Sequence, residues 1–261
     1  MSYLNRFFGQ EFDPTNQSSD LPAGLNLPVQ PTRREPTPFT STPAVRPSKN
    51  SKIVPAEGFR NDTYVDETTG AKIPVIMASV SQEKIFSTFM KLIQRLGSVV
   101  DVVIESSHDS NSKGHVDLYR EHIDMPVLTS ILWQYEDLLL NDGCTGIAVL
   151  NPSIPQEIQF EEHKLLIVYG SPLEPYEFIL DRAGVSEKPD MRFVTEAEHV
   201  HSSSASYARQ FEQLRTDLGL DGTAGQDTDR GSEGFGDNYG DNYGDSYGDT
   251  DNFGDSAGGL M

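Results

Sequence analysis

The residues richest in potential chemistry follow a run of valines and isoleucines: Glu105, Ser106, Ser107, His108 and Asp109, then His115, Asp117, His122 and Asp124. Three of the six histidines fall within this stretch, mixed with carboxylates. Imidazole and carboxylate together suit zinc or manganese, and a bound ion of that kind activates water. His108, Asp109, His115 and Asp117 are therefore the candidate metal ligands, with Glu105 as a candidate general base. The spacing matches no known metal signature: there is no His-Glu-x-x-His and no paired-cysteine motif. A polar, solvated loop has the same make-up, so this cluster supports only the alternative reading.

The remaining reactive groups offer less. Cys144, the single cysteine, sits in Asn141-Asp142-Gly143-Cys144-Thr145-Gly146 with no basic neighbour in sequence to activate it, which predicts a buried, inert thiol. His199 and His201 are predicted to lie on a helix, where residues two apart point in different directions and make a poor metal pair. No Gly-x-Ser-x-Gly elbow and no phosphate-cradling glycine loop occurs. A nucleotide-binding role ranks last, and the body offers no recognised catalytic motif.

The elements that must position these groups are legible from periodicity. Ile73 to Val80 reads as a strand. Ile85, Phe86, Phe89, Met90, Leu92, Ile93 and Leu96 repeat at helical spacing over Glu83 to Leu96, and Gly97 supplies a stop. Val99 to Glu105 reads as a strand buried on both faces, so strand, helix and strand fit one right-handed parallel crossover. A second helix starts at Asp124 and Pro126 and runs to Leu139, carrying Trp133 and Tyr135. Thr145 to Leu150 is a short strand. Glu157 to Glu161, with one wet face, and Lys164 to Tyr169 form an antiparallel hairpin. Pro172 to Leu180 reads as helical, and Thr195 with Glu198 matches a capping box opening a last helix that reaches Leu218. The resulting fold class is α/β or α+β: a single domain with a mixed sheet of about five strands covered by helices.

Both ends differ from this middle. Residues 1–60 hold 9 of the 16 prolines, and residues 221–261 hold 11 of the 22 glycines. The predicted organisation is a disordered, Pro-rich N-terminal arm (1–60) with a short amphipathic start, a folded acidic domain (61–220), and a disordered Gly/Asp/Tyr-rich tail (221–261). The tail repeats Gly236-Asp237-Asn238-Tyr239 with a period of four, which matches neither an EF-hand nor a calcium-binding roll. In composition alone it resembles the partner-recruiting tails of bacterial single-stranded-DNA-binding proteins. No aromatic and basic oligonucleotide-binding surface accompanies it, so that family's function is not carried over.

Of the formal net charge of −20, the middle carries −13 and the tail −9, while the N-terminal arm is slightly positive. An acidic body repels nucleic acid and anionic membrane surfaces and favours basic protein partners. No run of apolar residues reaches transmembrane length, and one cysteine excludes an internal disulfide, which fits a soluble, cytoplasmic protein. The leading expectation is a non-enzymatic protein-binding or scaffolding protein without a cofactor. Its partner contacts are Leu4, Phe7, Phe8, Phe235, Tyr239, Tyr243, Tyr247 and Phe253. The alternative is a metal-dependent hydrolase, with zinc or manganese held by the His/Asp loop. Nothing in the sequence bears on oligomeric state.

Overall fold

The computed structural model describes residues 38–66, 70–108 and 116–220. Asp109 and His115 lie outside them, as do all eight predicted partner-contact residues. The fold is mixed α+β. Seven strands, β2 (Gly58–Val65), β3 (Lys72–Ser79), β4 (Val99–Ser106), β5 (Val116–Asp124), β6 (Thr145–Leu150), β7 (Glu157–Phe160) and β8 (Leu165–Tyr169), form one sheet in the order β2-β3-β8-β7-β6-β4-β5. Two short strands, β1 (Val45–Pro47) and β9 (His199–His201), make a separate ribbon.

Every neighbouring pair in the large sheet is antiparallel, which corrects the expected mixed sheet of about five strands. β3 and β4 do run in the same direction through α1 (Gln82–Ile93), but β8, β7 and β6 lie between them. The crossover is real; its strands are not partners. Within the large sheet, the two strands that sequence patterning missed, β2 and β5, are the outermost ones. An edge strand with exposed faces interrupts its apolar alternation with polar residues, so period two fades. β5 also carries a bulge, where Asp101 Oδ1 accepts from the backbone N–H of His122 (2.8 Å), itself at φ 55°.

Helices cover one face. The apolar stripe of α1 packs with α2 (Met125–Leu132), α3 (Glu136–Asn141), α4 (Glu174–Arg182) and α5 (Ala205–Asp217) on Ile76, Val102, Ile104, Ile147, Val149, Phe160 and Val168. The predicted second helix is broken at Trp133–Tyr135 by a 3₁₀ turn. The start of α1 is held from outside. Glu57 accepts from the backbone N–H of Ser81 (2.9 Å) and pairs with Lys84 (2.7 Å). Burial alone would raise the Glu57 carboxyl, but these bonds outweigh it and hold it below its ordinary value.

Three further expectations change. β7 is fourth of seven and buried on both faces; its supposed wet face holds Glu157 and Gln159, which hydrogen-bond to each other. The N-terminal arm was expected to lack regular ladders, yet β1 lies within it. Ala44 and Val45 are buried there, and Pro47 ends the strand, where a missing N–H costs least. Thr195 opens no helix: it sits in a 3₁₀ turn at Val194–Glu196, β9 follows, and α5 begins only after Ser204, whose hydroxyl accepts from the N–H of Tyr207.

Candidate metal centre

One end of the large sheet, where β3, β4 and β7 finish and β6 and β8 begin, gathers most of the reactive side chains. The β1–β9 ribbon is stitched onto this end: Gly143 N–H donates to Ser202 O (2.8 Å), and Ser202 N–H to Ala44 O (2.7 Å). A Cβ at Gly143 would stand 2.5 Å from Ala44 O, so only glycine lets the ribbon approach.

The hairpin between β7 and β8 supplies the next piece. Lys164 N–H donates to Glu161 O (2.9 Å) and Glu161 N–H to Leu165 O (3.2 Å), leaving a three-residue loop whose last member, Lys164, has φ 63°. Glycine usually holds that position. A left-handed residue with a Cβ costs on the order of 1–2 kcal/mol. Here the conformation carries the Lys164 side chain inward, where Nζ donates to Thr145 O (2.8 Å) over the Phe160 ring. Burial pulls its pKa down to about 8, although Asp142, Glu161 and Glu162 oppose the shift.

The same turn presents His163 to the ribbon. On a strand, residues two apart share a face, so His199 and His201 point the same way while Val200 faces outward. This overturns the helical assignment that had set them apart. His163 lies 4.7 Å, ring centre to ring centre, from both His199 and His201, which are 5.1 Å from each other. One ligating atom from each of the three lies within 4.8 Å of the others.

Each ring is held by its Nδ1. His163 Nδ1 meets Glu161 Oε2 at 2.6 Å, His199 Nδ1 meets Ala197 O at 2.8 Å, and His201 Nδ1 meets Gly143 O at 2.5 Å. A carbonyl can only accept, so the Nδ1 of His199 and of His201 must carry the proton and Nε2 is left to ligate. Metal-binding histidines are oriented in this way by carboxylates and carbonyls. Burial lowers the pKa of His201, with His163 and His199 adding to the effect, which favours the neutral form a metal needs. Burial would also lower His163, but the Glu161 carboxylate more than reverses it, and Glu161 itself is held below its ordinary value. A cavity of about 30 Å³, with His163 and Lys164 in its wall, has room for roughly one water.

A second group lies across the 142–144 turn: His108, Asp142 and Cys144 also bring one ligating atom each within 4.8 Å. Cys144 is neither fully buried nor isolated, since Asp142, two residues before it, and His108, distant in sequence, are both neighbours in space. Burial raises its thiol pKa, as do the charges of Asp142 and Glu162.

Of the predicted ligands among the described residues, His108 and Asp117, His108 alone joins either group. Asp117 is exposed on β5 opposite Glu105, on the far side of β4 from β6. His122 is exposed, 3.9 Å from Asp101. No helix among the described residues is long and apolar enough to cross a membrane. Comparison with protein-family models, curated proteins and solved structures finds no match to this chain.

Proposed function

We propose that this protein is a metal-dependent hydrolase whose ion, zinc in the first instance, is bound by His163, His199 and His201. The observation that carries the reading is the set of three adjacent imidazoles, each with its Nδ1 engaged by a fixed acceptor. Three protein nitrogens leave a tetrahedral ion one position for water, the arrangement of catalytic rather than structural zinc. A bound ion supplies a hydroxide near neutral pH. The chain's own residues fix the tautomers through Glu161, Ala197 and Gly143. The reaction class expected from the sequence alternative is thus kept, with its ligands moved from the loop after β4 to the β7–β8 turn and β9.

Elemental analysis and p-nitrophenyl acetate turnover of the full chain test this together. Zinc uptake and zinc-dependent turnover are expected, with one equivalent of the zinc and all of the turnover lost in His199→Ala and His201→Ala variants that remain folded by circular dichroism. Metal-free protein that does not take up zinc, or uptake indifferent to both substitutions, rules the site out; uptake without turnover rules out the hydrolase. The scaffold reading rests on the charge and repeats of the flanks, and it ranks second because no described residue carries it.

A further inference from the structure

We propose a second divalent-cation site in the same chain, formed by His108, Asp142 and Cys144, selecting a thiolate-tolerant ion such as zinc. It does not depend on the three-histidine site. Asp142 is fully buried with the side chains of His108, Ser203 and Thr145 against its carboxylate, yet its Oδ1 has no aligned hydrogen-bond partner. His108 Nε2 is also buried without a hydrogen bond, although it stands only 3.0 Å from Asp142 Oδ2. An unprotonated ring nitrogen and a buried carboxylate that close, with no hydrogen bond aligned between them, leave a point that a cation would occupy. Leaving a buried carboxylate oxygen unsatisfied is otherwise costly.

The surrounding bonds fit a ligand set. Ser106 Oγ lies 2.7 Å from His108 Nδ1, which orients the ring and leaves Nε2 for the ion. Thr145 Oγ1 donates to Asp142 Oδ2 (2.5 Å), which leaves Oδ1 as the coordinating oxygen. Zinc bonds of about 2.0–2.3 Å in a tetrahedron place ligands roughly 3.3–3.8 Å apart, so atoms within 4.8 Å need only a small side-chain adjustment. Nitrogen, oxygen and sulfur donors in one place favour zinc over magnesium or calcium, which take oxygen. Binding displaces the thiol proton to solvent, and the thiolate forms the metal–sulfur bond. Gly143 joins the two centres, since its carbonyl orients His201 while its neighbours Asp142 and Cys144 are ligands here.

Cobalt(II) titration of the metal-stripped full chain reads the sulfur ligand directly. The expected result is two equivalents bound, with a near-ultraviolet thiolate-to-cobalt charge-transfer band that disappears in Cys144→Ser and persists in His199→Ala. The all-nitrogen site gives no such band, so failure of either site is seen separately. Cobalt uptake by the wild-type chain without the band overturns the proposal, as does a band that survives in Cys144→Ser. A measurement on the wild type alone guards against a misfolded variant: zinc should slow the reaction of Cys144 with a disulfide reagent at least tenfold. An unchanged rate counts against the site.

Discussion

Glu161 illustrates how much of the site depends on a single buried charge. Its Oε2 holds His163 Nδ1 at 2.6 Å, its Oε1 is buried without an aligned partner, and the His163 backbone and the Lys164 charge help to keep it ionised. Replacing it with glutamine preserves shape and an acceptor oxygen but removes the negative charge that makes the imidazole a stronger ligand. Outer-shell substitutions of this kind typically lower metal affinity 10–100-fold. Glu161→Gln should therefore bind zinc within that range of weakening, measured by competition with a chromophoric chelator, while Asn61→Ala, on edge strand β2, leaves affinity unchanged. Equal affinity in Glu161→Gln and wild type would remove Glu161 from the ligand framework.

At the scale of elements, the decisive feature is how β9 meets the sheet, and this is also where sequence reading succeeded least. The central strands and α1 announce themselves, because full burial demands unbroken apolar residues such as those of β4 and a clean helical stripe such as Phe86, Phe89 and Ile93. β9 is three residues long and carries two histidines, so nothing apolar marks its period. Assigning it period 3.6 separates His199 from His201; period two puts them side by side. The His-x-His spacing was the available signal, and an extended reading of it would have found the pair. His163 was visible only as a turn residue, and Cys144 gained His108 as a neighbour through the pairing of β4 with β6 across a long sequence separation. His108 was found, because the end of a predicted strand is readable.

The docking of the ribbon can be tested through Gly143. A methyl group there would meet backbone atoms, Ala44 O at 2.5 Å and Ser202 N at 3.0 Å, and backbone cannot rotate away as a side chain can. Gly143→Ala should destabilise the fold by about 1–3 kcal/mol, the usual range for overpacking, as read from urea unfolding. Because the shift also moves the carbonyl that holds His201, zinc affinity should fall in the same variant. Stability within about 0.5 kcal/mol of wild type, the range of ordinary surface substitutions, would mean the ribbon is not pinned as described.

For the whole molecule, an ion at the proposed three-histidine site would tie together elements from different parts of the chain. His163 comes from the sheet through the β7–β8 turn, whereas His199 and His201 come from a ribbon of two three-residue strands, which is too small to be stable alone. An ion bound by both converts its binding free energy into stability of the folded chain. Linkage sets the scale: a ligand at a thousand times its dissociation constant adds about 4 kcal/mol. Chelation should therefore lower the thermal midpoint, by several degrees if the described body unfolds as one unit. The acidic character of the body adds a reason for the same sign, since a divalent cation offsets part of the self-repulsion from its formal charge of −13. These two causes separate experimentally. General charge neutralisation is reproduced by magnesium and suppressed by salt, whereas ligation by imidazole is neither. The expected outcome is a zinc-specific rise in midpoint that persists in high salt and is reduced in His201→Ala. A rise that magnesium matches would assign the effect to charge alone and leave the three histidines without a metal.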